Sequence, residues 1–385
     1  MNHQLAEQTR SAFLQRFSKE PSLYFSPGRI NLLGEHVDYN DGFVLPAAID
    51  KGVYYAIATN GTSDCNFFSI DFNEAYSTAI SSLTPAGEWK NYVLSVVKQF
   101  VQAGKQIHGF DCVLAGDIPR GSGISSSAAV EGGLAFALNE LFDAGYNRKE
   151  LALLCQRAEH DFPNVKCGIM DQFANMHGKK DAVILLDCQS LEHQHFPLQL
   201  DGYSIVLINT KVHHSLASSA YNRRRQECEE GLLLMQSDSP VRSFRDVTKW
   251  EDLIAYEPTM GEEVFNRCLF VVQEIARTQE AAKLLQQHDL PGFGKLMFQT
   301  HEGLSKLYEV SCTELDFLVE LAKANNNVLG ARMMGGGFGG CTINIIANNT
   351  VQPFIDEALA AYKEKFGIDA EAYVVQTSDG TNKIS

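Results

Sequence analysis

The chain has 385 residues, of which 45% are hydrophobic and 21% charged, and a formal net charge of −15. That length exceeds one ordinary core and predicts two domains. The acidic balance argues against nucleic acid or an anionic membrane as the main partner, so any polyanionic ligand must be held by local donors or a metal.

In chain order, residues 5–19 place Leu5, Phe13, Leu14 and Phe17 in a polar background and predict a short amphipathic surface helix. Leu23 to Phe25 reads as a strand, followed by PGRINLLGEHVDYNDGFVLPAAID over residues 27–50. This run sets Arg29, Asn31, Glu35, His36, Asp38, Asn40 and Asp41 between apolar segments, so its charges need partners. Carboxylates beside small turns suit a sugar, because ionised Asp and Glu accept hydrogen bonds from neighbouring hydroxyls. A solvated loop between two strands is the alternative. Residues 52–79 alternate like strands, and Trp89 to Val101 carries one broad apolar face of a helix.

The stretch DIPRGSGISSSAAVEGGLAFAL, residues 117–138, follows an apolar strand, breaks at Pro119, passes Gly121 and Gly123, and enters a helix through three serines. Glycines let a backbone approach a ligand closely, and free N–H groups at a helix start favour an anion, so a phosphate fits here. No Lys follows the last loop Gly, which excludes a P-loop, and Ser126 stands where a dinucleotide fingerprint needs a third Gly. The alternative is a serine-capped helix after a Gly turn. Leu151 to His160 is helical and carries Glu159; beyond Pro163, Asp171 sits in a mostly apolar surround, as a functional carboxylate or as a helix cap.

Residues 182–186 and 205–208 read as buried strands flanking a polar hairpin-like segment. The domain boundary is placed here, giving domains 1–200 and 201–385. Adjacent His213 and His214 do not share a helix face and suggest no metal role. Tyr221 and the arginines 223–225 precede a long helical tract, with the basic cluster facing either a nucleotide or solvent. Residues 264–275 are helical, and a Ser311-x-x-Glu314 capping box opens another helix over 315–321. Five glycines in the six positions 335–340 predict positive φ or very close approach to another surface. A strand over 341–346, a helix marked by Phe354 to Tyr362 and a final strand over 373–375 complete the chain, with no repeats or low-complexity linkers. Nine cysteines, without C-x-x-C or zinc spacing, fit reduced thiols. Nothing near the start resembles a secretory signal and no run approaches the ~20 apolar residues of a membrane span, so a cytoplasmic location is expected.

Taken together, the three glycine-containing segments resemble the three motifs of the GHMP kinases, named for galacto-, homoserine, mevalonate and phosphomevalonate kinases. The first, GRINLLGEHVDYNDG, is similar to the galactokinase signature within that family, and CGIMDQ and the Tyr221 region extend the resemblance over essentially the whole chain. The resemblance implies an α+β, two-domain GHMP kinase fold, with an N-terminal domain like domain 2 of ribosomal protein S5, a ferredoxin-like C-terminal domain and the active site between them. It implies ATP-dependent phosphorylation of α-D-galactose at the anomeric hydroxyl, with galactose and MgATP as the partners and no nucleic acid, membrane or obligate protein partner.

By the same resemblance, Gly121, Ser122, Gly123, Ile124, Ser125, Ser126 and Ser127 wrap the ATP phosphates, and Ser127 and Glu159 match the Mg²⁺ positions. Glu35, His36, Val37, Asp38 and Tyr221 match sugar-binding positions, Asp171 the proposed base and Arg29 its partner. The Gly335–Gly340 loop would support the phosphate loop and close the sugar pocket. Two departures stand out: Met334 replaces a usual Thr just before the glycines, which removes a hydroxyl near the phosphates, and Ile124 replaces a usual Leu. An N-acetylgalactosamine kinase, another small-molecule kinase of the family, or a galactose- and ATP-binding regulator without turnover are the rival expectations.

Overall fold

The computed structural model describes residues 1–119, 121–212 and 217–384, so His213 and His214 lie outside the described residues. The chain opens with helix α1 (His3–Phe17), whose first turn is capped by the Asn2 side chain. This helix is more than a surface element: Phe13 is buried with Leu23, Ala56, Phe68 and Val113 on one face of a sheet. Long, alternating segments then form strands β1 (Ser22–Asn31), β2 (Phe43–Val44), β3 (Pro46–Thr59), β4 (Asp64–Ser69) and β5 (Glu74–Ala79). Helix α2 (Glu88–Gln102) and strand β6 (Phe110–Gly116) precede helices α3 (Ser126–Leu141), α4 (Arg148–His160) and α5 (Met170–His177).

Strands β1, β3, β6, β4 and β5 are neighbours in a six-stranded sheet in which only the β4–β6 pairing is parallel. Helices α3 and α5 cover the face opposite α1, and the apolar stripe of α2 (Val93, Val96, Val97, Phe100) joins their core. Strands β7 (Ala182–Asp187) and β8 (His193–Pro197) form a second, three-stranded sheet with β2.

Strand β9 (Tyr203–Asn209) begins a third sheet, followed by helices α6 (Ala217–Asp238), α7 (Glu257–Gln286), α8 (Leu290–Lys306) and α9 (Thr313–Ala324). Strands β10 (Val328–Met333) and β11 (Cys341–Ala347), helix α10 (Val351–Phe366) and strand β12 (Glu371–Val375) complete the antiparallel order β10-β11-β9-β12. β12 is not the last strand as expected. Residues 382–383 form β13, which returns to the edge of the first sheet with Lys383 opposite Tyr24.

Three local expectations are corrected. Tyr221 lies inside α6 instead of before it, and the arginine cluster is divided: Arg224 is buried against protein, Arg225 is half-buried, and Arg223 lies on the solvated helix face. Arg223 pairs with Glu227 and Glu263, Arg224 reaches the Tyr308 and Glu309 carbonyls, and Arg225 pairs with Glu229 and the Lys166 carbonyl. The four-residue spacing within α6 supplies Glu227 and Glu229, and α7 supplies Glu263. Finally, α9 starts at Thr313 behind Cys312 with no side-chain cap, because the Ser311 hydroxyl donates to Asp316 at 2.5 Å instead. Among the described residues no helix is long and apolar enough to cross a membrane.

Candidate active site

A cleft of about 230 Å³ opens where the ends of β1, α5 and α6 meet the glycine loop from Gly335 to Phe338. Its walls include Arg29, Glu35, His36, Asp38, Asp171 and Tyr221, residues up to 192 positions apart in sequence (221 − 29). The strand β1 bulges between Pro27 and Arg29, which turns Arg29 into the cleft while its N–H donates to the Ile124 carbonyl at 3.1 Å. The Arg29 guanidinium donates from Nε and Nη2 to the two oxygens of Asp171, each at 2.9 Å, and from Nη1 to the Gly123 carbonyl at 2.6 Å. This fork is the geometry that arginine offers a carboxylate. The Ser125 hydroxyl adds a third donor to Asp171 at 2.6 Å. Asp171 therefore does not cap α5, whose N-cap is Ile169 without a side-chain bond.

The acid-rich run bends sharply into the same cleft. His36 adopts a left-handed backbone, at φ 60°, a conformation held only where surrounding structure enforces it. The enforcing contacts come from the C-terminal half. Arg332 on β10 reaches Glu35 from both Nη atoms (3.1 and 3.2 Å) and also binds the Leu32, Asn31 and Met333 carbonyls. Gly335 donates its N–H to the same Glu35 oxygen at 2.8 Å. Burial alone would raise the Glu35 pKa, but Arg332, Arg29 and the Gly335 N–H hold it below the ordinary carboxylate value. Glu274 of α7 likewise accepts from the Gly34 N–H at 2.9 Å.

Asp38 accepts from the Met170 N–H at 3.3 Å, and burial, with repulsion from Asp171 second, pushes its pKa up to about 7. Gly168 makes this approach possible, because a Cβ there would lie 2.1 Å from an Asp38 oxygen. Tyr221 stacks at a tilt on His36, with ring centroids 5.2 Å apart. Val37 differs from its neighbours: its side chain is fully buried in the hydrophobic core and packs near Gly42, so it fixes the turn without lining the cleft.

The serine-rich loop and the glycine loop meet backbone to backbone. A Cβ on Gly335 would come within 2.8 Å of the Gly123 carbonyl, and one on Gly123 within 3.0 Å of the Met334 carbonyl. Positive φ at Gly335, Gly337, Gly339 and Gly340 meets the expected use of these glycines. Met334 is buried, and its sulfur accepts the Asn31 N–H at 3.5 Å. Helix α3 starts behind Ser125, at φ 61°, without a side-chain cap, so the serine-capped alternative does not hold and the N–H groups of its first turn are left for an external acceptor. Ser122 is buried with no hydrogen-bond partner for its hydroxyl among the described residues, Ile124 packs in the core, and Gly121 and Ser126 are exposed.

Ser127 hydrogen-bonds Glu159, which also accepts from Gln172 Nε2 at 2.6 Å. Burial, then repulsion from Asp171, pushes the Glu159 pKa up to about 7. Beside it, Glu131 is wholly buried, and burial, then the Glu159 charge, holds its pKa well above normal against a hydrogen bond from Gln172. Glu131, Gln172 and Arg332 were missed as site residues. A lone Glu in the small, apolar stretch AAVEGGLA was a readable signal for the first. Gln172 was visible only as the neighbour of Asp171, and Arg332 has no local signal because its partner lies 297 residues away.

Comparison with known proteins agrees with this geometry. Residues 11–59 match the galactokinase galactose-binding signature, residues 91–179 the N-terminal domain of GHMP kinases and residues 281–365 their C-terminal domain. The chain is 40% identical to a galactokinase of Clostridium beijerinckii over 97% of this chain and 98% of that protein. It is also 40% identical to a galactokinase of Thermotoga maritima, over 93% and 99%. Among solved structures, Lactococcus lactis galactokinase complexed with galactose superposes with a TM-score of 0.95 at 35% identity, covering 98% of this chain and 99% of that one. Mevalonate kinase of Methanococcus jannaschii, at 17% identity and a TM-score of 0.68 over 93% and 99%, has the same fold.

Proposed function

The chain belongs to the galactokinases of the GHMP kinase family, and from that membership we propose a reaction and a role for each residue of the cleft. It is a kinase with ATP as co-substrate and galactose as acceptor. The anomeric O1 of α-D-galactose attacks the γ-phosphorus, the O1–P bond forms, the bond to the β,γ-bridging oxygen breaks, and ADP leaves with that electron pair. The O1 proton passes to Asp171, giving α-D-galactose 1-phosphate. The Arg29–Asp171 fork at the meeting point of the acidic turn and the uncapped helix start carries this reading.

Phosphoryl transfer asks mainly for in-line placement and charge neutralisation. Arg29 orients the Asp171 oxygens, and Ser125 holds the one it contacts. The loop from Gly121 to Ser127 and the uncapped start of α3 receive the phosphates, while Glu35, His36, Asp38 and Tyr221 orient the sugar. Glu131 and Glu159 are buried side by side with raised pKa values, and a divalent ion bound there would favour their ionised forms. Ser127 and Glu159 would hold Mg²⁺, which when bound neutralises phosphate charge. Replacing Ser127→Ala or Glu159→Gln is expected to raise the Mg²⁺ needed at saturating ATP by about tenfold, since Mg²⁺ takes few protein ligands. Superimposable Mg²⁺ titrations would remove both from the metal site.

We place the domain division at residues 200 and 201, supported by the separate β9–β12 sheet, with β13 as the strand that crosses back. A cytoplasmic location is supported by nine free cysteines. The test of the reaction is coupled ADP release with galactose, glucose, N-acetylgalactosamine and mevalonate. Turnover on galactose alone is the expected result, and a better rate on N-acetylgalactosamine would displace the substrate assignment.

A further inference from the structure

The turn Gly34–Glu35–His36 is left-handed at both ends, with φ 92° at Gly34 and 60° at His36, and two elements of the C-terminal half grip it. The first is α7. A Cβ at Gly34 would come within 2.4 Å of the Phe43 carbonyl and 3.2 Å of the Thr278 hydroxyl, so no side chain fits where the turn meets this helix. Just before the turn, Leu32 and Leu33 share a core with Ala281, Ala282 and Leu285 of α7. Glu274, one helical turn before Thr278 and fully buried, accepts the Gly34 N–H at 2.9 Å. The Thr300 hydroxyl, at 2.9 and 3.1 Å, and the Arg277 guanidinium also donate to this carboxylate.

The second element is β10. Its Arg332, also fully buried, spans the entry to the turn and the turn itself, donating to the Asn31 and Leu32 carbonyls and to Glu35. Neither Glu274 nor Arg332 lines the cleft, whereas Glu35 and His36 do. A buried ion pair adds little stability over apolar groups of the same volume. Its hydrogen bonds are directional, so what it fixes is position. If the acceptor on α7 is lost, the Gly34 N–H stays buried without a partner, and the turn gains by leaving its strained shape. Any such relaxation re-aims Glu35 and His36.

We propose that Glu274 and Arg332 are positioning residues for the sugar: they clamp the turn from the C-terminal half so that Glu35 and His36 face galactose in a fixed geometry. The clamp rests on the reading of this turn as part of the sugar-binding surface. It gives the strained backbone a use, because a turn held by two buried charges keeps its shape before the substrate arrives and leaves less to be ordered on binding.

Glu274→Met keeps the volume of the side chain and removes the acceptor. Glu274→Gln keeps an oxygen for the Gly34 N–H and can turn its NH₂ toward the half-buried Arg277, which is free to swing to solvent. Galactose KM is expected to rise about tenfold in Glu274→Met, the worth of one buried hydrogen bond, with ATP KM within twofold, and to stay within threefold of wild type in Glu274→Gln. Arg332→Lys keeps the charge but cannot span Glu35 and two carbonyls at once, and should also raise galactose KM about tenfold. Amide exchange at Gly34 should be at least tenfold faster in Glu274→Met and close to wild type in Glu274→Gln. Should Glu274→Met fail to fold, Arg332→Lys carries the same comparison. Galactose KM unchanged in the folded variants, or Glu274→Gln impaired as much as Glu274→Met, overturns the clamp. A His36→Asn enzyme with unchanged galactose KM overturns instead the assignment of His36 to the sugar.

Discussion

Asp171→Asn is expected to lower kcat on galactose by roughly 10² to 10⁴, the usual worth of general-base assistance, while galactose affinity stays within a few-fold. The substitution keeps the size of the side chain but removes its capacity to take the O1 proton. It also disturbs the fork. Asp171 accepts from Arg29 Nε on one oxygen, and from Arg29 Nη2 and the Ser125 hydroxyl on the other. An amide presents its NH₂ to one of these sets, so it faces an Arg29 donor in either orientation, and the Ser125 hydroxyl as well in one of them. Part of the lost rate is thus lost orientation, and loss of a proton acceptor accounts for the rest. Single-turnover rates at saturating ATP, paired with calorimetric galactose binding, separate kcat from affinity. An Asp171→Asn enzyme within about threefold of wild type would sink the role given to this carboxylate.

What could be read from the sequence follows from the range of the forces involved. Strand and helix patterns depend on neighbours a few residues away, and β1, α2, α4 and β11 lie where their periodicities put them. The glycine loops were legible because close backbone approach excludes a Cβ, as Gly123 and Gly335 show. Charges answered by distant partners were not legible. Arg332 sits in β10, and only the folded chain brings it to Glu35. The arginines of α6 read equally well as a nucleotide-facing patch because Glu263 and the Tyr308 and Glu309 carbonyls, their tertiary partners, are remote in sequence. The inward turn of Val37 was not legible either: its β-branched side chain stands between two polar residues, yet it is buried in the core beside Gly42. Ser311 and Glu314 have the spacing of a capping box, but Asp316 competes for the serine hydroxyl and wins.

Discrimination between galactose and glucose is expected to depend on Asp38. The two sugars differ only in the C4 hydroxyl, and sites that hydrogen-bond a hydroxyl can reject an analogue lacking it by roughly 10⁴ to 10⁵. Asp38 is suited to this because burial, then the repulsion of Asp171, pushes its pKa up to about 7 despite hydrogen bonds from the Met170 N–H, at 3.3 Å, and the Tyr39 backbone. Its folded-state pKa is raised above the unfolded value, so the native state binds more protons than the unfolded chain between about pH 4 and pH 7. The stability contributed by Asp38 is present at acidic pH and is lost as pH rises through 7. In the ligand-free protein, Asp38→Asn should therefore gain stability relative to wild type between pH 5 and pH 8, by about 2 kcal/mol in denaturant melts. A bound sugar hydroxyl donates to the ionised carboxylate and recovers what wild type loses over that range. When the epimer moves the hydroxyl away, the carboxylate stays buried and unanswered, which costs more than a lost contact. Asp38→Ala should lower kcat/KM for galactose and at the same time narrow the gap to glucose, because the penalty for the unanswered charge goes with the side chain. If Asp38→Ala leaves the galactose-to-glucose ratio as it is in wild type, Asp38 does not read the sugar, and its raised pKa has no bearing on selectivity.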